Sequence, residues 1–504
     1  MAAPDWFASP ALQCLVTRDG RTLAAAEVAE LLEWFQAAIP GGDLQMLDGL
    51  PLPVWRREVL PPEIRLRVTQ LRGRMEPAAL DCWTVALTRV WLEQLGIQTA
   101  RKTAWLLPTI GLLGGGGAAA LLGAHLRGEN HALRCKGEVG IAALIEIGSR
   151  GALLELAQVA TKCRTRERGA MARCALQRLA TRQGLTPDQL QDRILPDCGF
   201  DSRGQRVLSY GRKTFAVKLN EALAPYLQAD DGKRLTSLPK PTAKDDATVC
   251  AQAKADWKTM RTQIQQTTRW LSRRFELAMI LGETWAPADF MGNFGKHPLA
   301  RHIVQRLLWV TSNGEAGPPD LFRIAEDNSL ADVADRTFEL SPSCHGIRPV
   351  HPLDIDWETR AAWQEVFADY GIVTPFSQLD RPVFLVPPSQ RSVTIVDRFP
   401  HPKVEVPALI FPLETRGWDR TTPHHDGVLE EHTRTFESAG VTACVSYEPG
   451  AFLGDLLGSP TQSIKSLIFR PHPGPAPDPL PLGAVPARVY SETMRDLATL
   501  VPAS

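Results

Sequence analysis

The chain has 504 residues, with 56 basic residues balanced by 56 acidic ones and 44% hydrophobic residues. This composition excludes wholesale disorder, a fibrous repeat and a strongly basic nucleic-acid coat. Nine cysteines without a CxxC pair, and an N-terminus without a basic and then apolar signal segment, favour reduced thiols in a cytoplasmic protein.

The first half of the sequence has the periodicity of helices. Apolar residues recur at helical spacing in Ala24–Ala38, Pro61–Arg74 and Ala78–Leu95, and breaks containing Gly or Pro separate these segments. The third segment has one wide apolar stripe, formed by Leu80, Trp83, Leu87, Trp91 and Leu95. We therefore predict three amphipathic helices.

The segment Thr103–Leu126 lacks Asp, Glu, Lys and Arg and is long enough to span a bilayer. Pro108 and the four glycines Gly114–Gly117 interrupt it, which favours two buried helices, Ala104–Leu113 and Ala118–Leu126. We predict no membrane association, with a membrane span as the alternative.

A repeat follows this segment. Helix pairs open at Gly114 and at Gly148, which gives an offset of 34 residues. Helix–turn–helix units at this spacing are typical of HEAT or armadillo solenoids, in which each unit buries an apolar face against its neighbour. We predict HEAT-like repeats over residues 1–200, with a plain helical bundle as the alternative.

The pattern changes after residue 200. Arg206–Tyr210, Thr214–Leu219 and Ala224–Gln228 have the character of short strands, which predicts a β-meander and linker over residues 201–246. A helical segment is expected over 247–316, including a long helix from Ala247 to about Leu281, and a C-terminal α+β domain over 317–504. The predicted fold is mainly α: N-terminal helical repeats with a small β-meander insertion, followed by the α+β domain.

A series of short phrases runs through the second half. Among them are Arg273-Arg274-Phe275-Glu276, His297-Pro298-Leu299, His351-Pro352-Leu353, Arg381-Pro382, Glu414-Thr415-Arg416-Gly417-Trp418, Tyr447-Glu448-Pro449-Gly450 and Ser491-Glu492. With upstream phrases, the series resembles the bacterial MolR-like family, defined by a domain of unknown function numbered 4132, from about Gly114 to the C-terminus.

The resemblance implies a helical-repeat first part and offers no established catalytic residues. Some members of that family carry a WGR domain, a module associated with nucleic acids, and one was named as a regulator of molybdate metabolism. Others occur beside MoxR-type ATPases and von Willebrand-A-type proteins. No WGR segment is recognisable in this chain, and its helical array is short.

Motifs for cofactors and metals are weak. Gly114–Gly117 lacks the Lys-Ser/Thr of a P-loop, so we predict no nucleotide cofactor. The C-terminal histidines and cysteines lack HExxH or CxxC spacing, so no metal site is predicted, although they could converge in space. We expect His297 and His351, each followed by Pro, to hydrogen-bond buried backbone groups.

One C-terminal cluster combines a cation, an aromatic face and titratable bases. Its candidate residues are His351, Arg416, Trp418, His424, His425 and Asp426. The alternative is a polar surface loop with a tryptophan packed beneath it.

Charge is unevenly distributed along the chain. Residues 101–280 contain 29 Lys and Arg but 16 Asp and Glu, an excess of 13 positive charges. The candidate partner-binding residues in this region are Arg164, Arg166, Arg168, Arg173, Arg178 and Arg182. They could bind an acidic protein or nucleic acid, or simply form a solvated helix face.

These observations favour a non-enzymatic adaptor or regulator of a bacterial multicomponent system, which docks an acidic protein partner on its basic face. Two alternatives stay open: an enzyme of unassigned class with a site in the C-terminal domain, and a nucleic-acid-binding regulator. Aromatic residues are not interleaved with the arginines, which weakens single-strand stacking as a binding mode.

Overall fold

The computed structural model divides the chain into two compact units, residues 1–196 and 197–504. It describes residues 5–39, 44–47, 50–53, 60–93, 105–128, 136–201, 204–220, 222–242, 245–313, 319–399, 403–422, 427–473 and 478–500. The finer boundaries proposed from the sequence at residues 246 and 316 stay predictions.

The described part of the first unit is helical except for one hairpin. Its elements are α1 Ala25–Ala38, β1 Leu44–Leu47, β2 Leu50–Pro53, α2 Pro62–Arg74, α3 Pro77–Glu93, α4 Leu106–Leu113, α5 Gly116–Arg127, α6 Lys136–Ile147, α7 Arg150–Lys162, α8 Arg166–Arg182 and α9 Pro187–Arg193. The strands β1 and β2 pair antiparallel.

The three N-terminal helices predicted from periodicity are confirmed as α1, α2 and α3. Four residues of the predicted α3 stripe are buried, namely Leu80, Trp83, Leu87 and Trp91. The fifth, Leu95, lies outside the described residues. The uncharged segment forms two short helices, α4 and α5, as predicted. Among the described residues, no helix combines the length and apolar composition that crossing a bilayer requires.

A carboxylate explains the four-glycine run at the start of α5. Asp81, on α3, accepts hydrogen bonds from the backbone N–H of Gly117 (2.9 Å) and Ala118 (3.4 Å). A negative charge at this helix end is favourable because the first N–H groups are otherwise unpaired. The approach is close: a Cβ atom on Gly115 would lie 2.7 Å from Asp81 Oδ1. The glycines therefore admit a capping carboxylate rather than a phosphate.

The prediction of a mainly α fold with a HEAT- or armadillo-like solenoid is wrong. The described residues have an α+β fold, with 49% helix and 17% strand. In a solenoid every unit has the same structure, whereas in this unit the hairpin of β1 and β2 lies among the helices. The two glycines that suggested a repeat also differ in conformation, because Gly114 has φ −61° and Gly148 has φ +61° at the end of α6.

The second unit mixes helices with three antiparallel sheets in its described residues. Its elements are β3 Arg206–Ser209, β4 Thr214–Leu219, β5 Pro225–Ala229, β6 Arg234–Leu235, α10 Ala247–Leu281, α11 Pro287–Phe290, α12 Arg301–Val304, β7 Trp309–Ser312, β8 Leu321–Ile324, β9 Leu330–Ala331, β10 Thr337–Phe338, β11 Gly346–Pro349, α13 Trp357–Asp369, β12 Ile395–Val396, β13 Lys403–Val404, α14 Val406–Thr415, β14 Asp419–Arg420, β15 Val428–Phe436, β16 Val441–Phe452, β17 Gln462–Pro471 and α15 Ala487–Ala498.

In each sheet, most neighbouring strands are also consecutive in the sequence. The predicted meander is present as a four-stranded sheet in the order β3-β4-β5-β6. A second sheet has the order β10-β9-β8-β7-β11, and a third has the order β12-β17-β16-β15-β14, with β13 also paired to β17. The third sheet shares one hydrophobic core with α14 and α15. This core surrounds the residues of greatest chemical interest.

The long helix α10 begins and ends as its sequence predicts. The Asp246 side chain caps it by accepting from the N–H groups of Thr248 and Val249 at 2.8 and 3.0 Å. Gly282 ends it in the left-handed conformation, with φ +70°.

The close approach of Asp81 to the glycine run predicts a contrast between two neighbouring glycines. A Cβ atom on Gly117 would lie 2.7 Å from Val85 Cγ2, whereas one on Gly116 meets nothing within 4 Å. We expect Gly117→Ala to lower the free energy of unfolding by about 1–3 kcal/mol through overpacking. The matched Gly116→Ala variant should change it by no more than about 0.5 kcal/mol. Equilibrium urea unfolding of the full chain measures both, and equal effects would contradict the capping geometry.

Candidate functional site

Helix α15 carries two carboxylates through the interior of the second unit. Glu492 is 0% exposed and Asp496 is 1% exposed. They lie four residues apart, which places them on the same side of the helix. An ionised carboxylate in such surroundings requires charged or hydrogen-bonding partners. The partners of these two residues include several of the side chains selected from the sequence.

Arg381 holds Glu492 in a bidentate ion pair. Its Nε donates to Glu492 Oε1 (2.7 Å) and its Nη2 to Oε2 (2.5 Å). The remaining terminal nitrogen, Nη1, donates to Glu276 Oε1 on α10 (2.7 Å) and to the Ser377 carbonyl (3.1 Å). The guanidinium of Arg381 is completely buried, so all its polar contacts are internal.

His351 completes the environment of Glu492. Its Nε2 lies 3.0 Å from Glu492 Oε1, and its Nδ1 accepts the N–H of Leu353 at 3.1 Å. Because Nδ1 is an acceptor, the network assigns the ring proton to Nε2, which donates to the carboxylate. The predicted backbone bond of His351 is confirmed, as is that of His297, whose Nδ1 accepts from the N–H groups of Leu299 and Ala300.

The pKa values of the two α15 carboxylates shift in opposite directions. Burial favours the neutral form of Glu492, but hydrogen bonds from Arg381 and His351 outweigh it and lower its pKa to about 2. For Asp496, burial dominates and raises the pKa, although Arg434 and Trp418 oppose the shift.

Asp496 has its own set of partners. The indole Nε1 of Trp418 donates to Asp496 Oδ2 at 2.9 Å, and Arg434 Nη1 donates to the same oxygen. Arg416 Nε lies 3.7 Å from Oδ1. Trp418 is buried, so its indole ring packs in the core while the indole N–H donates a hydrogen bond to the Asp496 carboxylate.

A histidine–tyrosine pair lies on neighbouring strands in the same core. His432 Nδ1 is 3.0 Å from the Tyr447 hydroxyl, and His432 Nε2 is 3.9 Å from Glu414 Oε1. Within the described residues this Nε2 has no hydrogen-bond partner. Burial, opposed by Glu414, lowers the pKa of His432 to about 4, so the imidazole is neutral at pH 7.

The structure brings half of the predicted C-terminal cluster together around one helix. His351 binds Glu492, and Arg416 and Trp418 contact Asp496. His424, His425 and Asp426 lie outside the described residues. The predicted open cleft is not formed by His351 and Trp418, because both side chains are buried.

Sequence analysis placed Glu492 in a family phrase but selected neither Glu492 nor Asp496 as a site residue. Glu492 and Asp496 lie between Val489, Met494 and Leu497, which are also buried. A charged residue on the apolar side of a predicted helix indicates a buried side chain that is paired with an opposite charge. Their partners cannot be found by spacing, since Glu492 and His351 are 141 residues apart.

The six arginines of the predicted basic face have different environments. Arg164, Arg166, Arg173 and Arg182 are exposed, Arg178 is half-buried and Arg168 is buried. Arg168 Nη1 donates to the carbonyls of Leu126 (2.7 Å) and Gly128 (3.3 Å) at the end of α5. Arg168 therefore anchors the α7–α8 turn and cannot contact a partner.

No metal site can be built from the residues that the structure describes. Among them, no group of three or more His, Cys, Asp or Glu side chains is placed to hold an ion. Cys344 and Cys444, which the sequence placed in the same domain as the histidines, are free thiols buried in the second unit.

Comparison with known proteins identifies one domain. The family model described as a domain of unknown function (DUF4132) matches residues 232–418, a region that contains His351, Arg381 and Trp418 but ends before α15. The uncharacterized protein YehI of Escherichia coli (strain K12) is 27% identical over 353 residues, which are 69% of this chain and 29% of the relative. The alignment thus spans less than a third of that protein. No solved structure matches the chain.

The buried Glu492 ion pair predicts a large effect of a small substitution. Glu492→Gln keeps the side-chain shape but leaves Arg381 with one carboxylate partner, so we expect the free energy of unfolding to fall by about 3 kcal/mol. The control is Lys465→Gln, which removes an exposed ion pair with Glu448 and should cost less than about 1 kcal/mol. Urea unfolding monitored by tryptophan fluorescence compares the two variants. Equal losses would show that Glu492 contributes no more than a surface pair.

The same residue predicts a pH dependence. The pKa of Glu492 is lowered from 4.5 to about 2 in the folded chain. Its ionised form therefore stabilises the fold fully above pH 4.5, and this contribution is lost as the pH falls from 4.5 towards 2. The difference in unfolding free energy between the natural chain and Glu492→Gln should shrink over that interval. A difference that is independent of pH would contradict the assignment.

Proposed function

We propose that this chain is a non-enzymatic adaptor or regulator that docks an acidic protein segment through arginines of its first unit. The docking surface consists of Arg164, Arg166, Arg173, Arg178 and Arg182 and is called the α8 arginine surface below. The observation that supports the proposal is the exposure of four of these cations on one helix and the turn before it.

Hydrogen bonds to the end of α5 hold the α7–α8 turn, which carries this surface, in place. Arg168 binds two carbonyl oxygens at the end of α5, and the Cys163 thiol donates to the Leu126 carbonyl at 3.3 Å. A second anchor is Arg173, whose Nη1 donates to the Ala160 carbonyl at 2.7 Å. These bonds fix the backbone from which the exposed guanidinium groups extend, which lowers the ordering cost of binding.

Helical geometry separates the surface into two rows. Arg166 and Arg173 are seven residues apart, so they lie on one side of α8 at a separation of about 10 Å along the axis. Arg178 and Arg182 are four residues apart and share a different side. Carboxylates at helical or extended spacing in a protein segment could pair with either row.

Two comparisons favour an acidic protein over the alternatives. No aromatic residue lies between Arg164 and Arg182 in the sequence, so base stacking has no platform there. The second unit encloses His351, Trp418 and their carboxylate partners, whereas an enzymatic site requires groups that a substrate can reach. The enzyme alternative therefore has less support.

Family and location belong to the same proposal. The DUF4132 match over residues 232–418 and the E. coli relative support a MolR-like bacterial protein. We place it in the cytoplasm as a component of a multicomponent system, without a bound cofactor.

Charge reversal on the α8 arginine surface tests the proposal. With a fluorescein-labelled polyglutamate peptide as probe, we expect Arg166→Glu/Arg182→Glu, which leaves the Arg173 anchor in place, to weaken binding about tenfold or more at low ionic strength. Arg65 and Arg89, which are exposed on α2 and α3, supply the matched control. Arg65→Glu/Arg89→Glu changes the net charge equally and should leave most of the binding intact. Fluorescence anisotropy measures both.

Three outcomes would overturn the proposal. Equal loss in both double variants would show that the peptide senses only net charge. Absence of binding at low salt would remove the surface as an acidic-partner site. Much tighter binding of duplex DNA of equal charge, lost in Arg166→Glu/Arg182→Glu, would assign the surface to nucleic acid instead.

A further inference from the structure

The long helix α10 of the second unit has one basic side. Five of its exposed residues are cations, separated by four, three, eight and four positions: Lys254, Lys258, Arg261, Arg269 and Arg273. At 3.6 residues per turn these positions fall within an arc of about 120° and extend over about 28 Å of the helix axis. They form a single row, which is called the α10 basic row below.

The charge of the row is not balanced within the helix. Asp256 and Glu276 are the acidic residues of α10, and both are half-buried and have other partners. Asp256 Oδ2 lies 3.8 Å from Arg206 Nη2, and Glu276 Oε1 accepts from Arg381. Within the described part of the chain, no carboxylate lies within ion-pair distance of any of the five cations.

Such a row is unfavourable for the isolated helix. Lys254 and Lys258 are four residues apart, as are Arg269 and Arg273, and like charges at this spacing destabilise a helix. A helix side that is merely solvated gains stability when carboxylates alternate with the cations. The arrangement therefore indicates that the opposite charge comes from a partner.

The surroundings of the row favour a nucleic acid over a protein. From Ala251 to Arg273, a stretch that is described in full, no large apolar side chain is exposed. The centre of a protein interface is rich in aromatic and apolar residues and poor in charged ones. Binding to phosphates, in contrast, can rest on cations alone.

The same stretch favours a duplex over a single strand. Its two aromatic residues are Trp257, which is buried, and Trp270, which is half-buried. Single strands bind through bases that stack on accessible aromatic side chains. A duplex keeps its bases paired and presents only its phosphates to a row of cations.

We infer that the α10 basic row binds the phosphate backbone of duplex DNA without sequence preference. An α-helix with its side chains is about 10–12 Å wide, close to the width of about 12 Å of the major groove of B-DNA. The major groove of double-stranded RNA is deep and narrow by comparison. The row lies in the second unit and shares no residue with the α8 arginine surface, so this inference does not rest on the proposed function.

The salt dependence of binding measures how many phosphates the row contacts. Each contact contributes about −0.9 to the slope of log K against log salt, so five contacts predict a slope of about −4.5. This slope corresponds to a loss of affinity of about 500-fold between about 50 and 200 mM salt. Fluorescence anisotropy of the full chain with a fluorescein-labelled DNA duplex of about 20 base pairs measures it, and a second duplex of unrelated sequence should give the same values.

Removing two cations from the row should reduce this slope. We expect Lys258→Ala/Arg261→Ala to lower its magnitude to about 2.7 and to weaken binding about tenfold or more at about 100 mM salt. Both positions are exposed and alanine is a strong helix former, so the helix is retained. The matched control, Arg65→Ala/Arg89→Ala, removes the same charge from α2 and α3 and should keep the natural slope.

Adding a cation to the row should have the opposite effect. Thr262 is exposed and lies within the arc of the row, so we expect Thr262→Lys to steepen the slope to about −5.4. Thr69→Lys on α2 is the control. Both threonines are exposed, and each donates its hydroxyl to the carbonyl four residues earlier, at 3.1 Å for Thr262 and 2.9 Å for Thr69. Thr69→Lys should leave the slope unchanged.

Three results would overturn the inference. The first is the absence of DNA binding by the natural chain at about 50 mM salt. The second is an equal slope for Lys258→Ala/Arg261→Ala and Arg65→Ala/Arg89→Ala, which would show that DNA senses only the net charge. The third is equal affinity for an RNA duplex, or for a polyglutamate peptide of equal charge, since either would remove the assignment to duplex DNA.

Discussion

The second unit depends on a carboxylate that has no access to water. Glu492 is completely buried, and an isolated charge there would cost several kcal/mol or be neutralised. It stays ionised because Arg381 donates a hydrogen bond to each of its oxygens and His351 donates to one of them. Helix α15, the loop after α13 and the loop after β11 must therefore come together before any of the three residues is satisfied.

The same constraint organises the rest of the interior. Arg381 also binds Glu276, which connects α10 to the cluster. One turn further along α15, Asp496 accepts hydrogen bonds from the Trp418 indole and the Arg434 guanidinium. These bonds link α15 to the segment after α14 and to β15. Replacing a buried ion pair with apolar residues can leave stability unchanged or raise it. The value of these pairs therefore lies in specifying which segments meet.

Local features of the sequence predicted the helices of the first unit, the meander and α10, but not how these elements assemble. The bounds of α10 and the apolar stripe of α3 could be predicted because such signals depend on neighbouring residues. The solenoid prediction failed because glycines at equal spacing can serve different purposes: Gly114 precedes a helix capped by Asp81, and Gly148 ends one in a left-handed conformation. His351 and Trp418 could be selected from the sequence, but their carboxylates could not, since the pairing crosses 141 and 78 residues.

A count of charges along the chain does not show which of them are exposed, and the arginines of α8 illustrate this. Arg166 and Arg168 are two residues apart and contribute equally to the positive excess, yet one is exposed and the other is bound to carbonyls of α5. A buried guanidinium that binds backbone oxygens keeps its charge but cannot form an ion pair with a partner in solution. The excess of 13 positive charges therefore overstates the number of cations that are exposed in this region. Arg168 is bound to carbonyls of α5 while Arg164 and Arg166 are exposed, so the same residue type has a structural role at one position and faces solvent at two others.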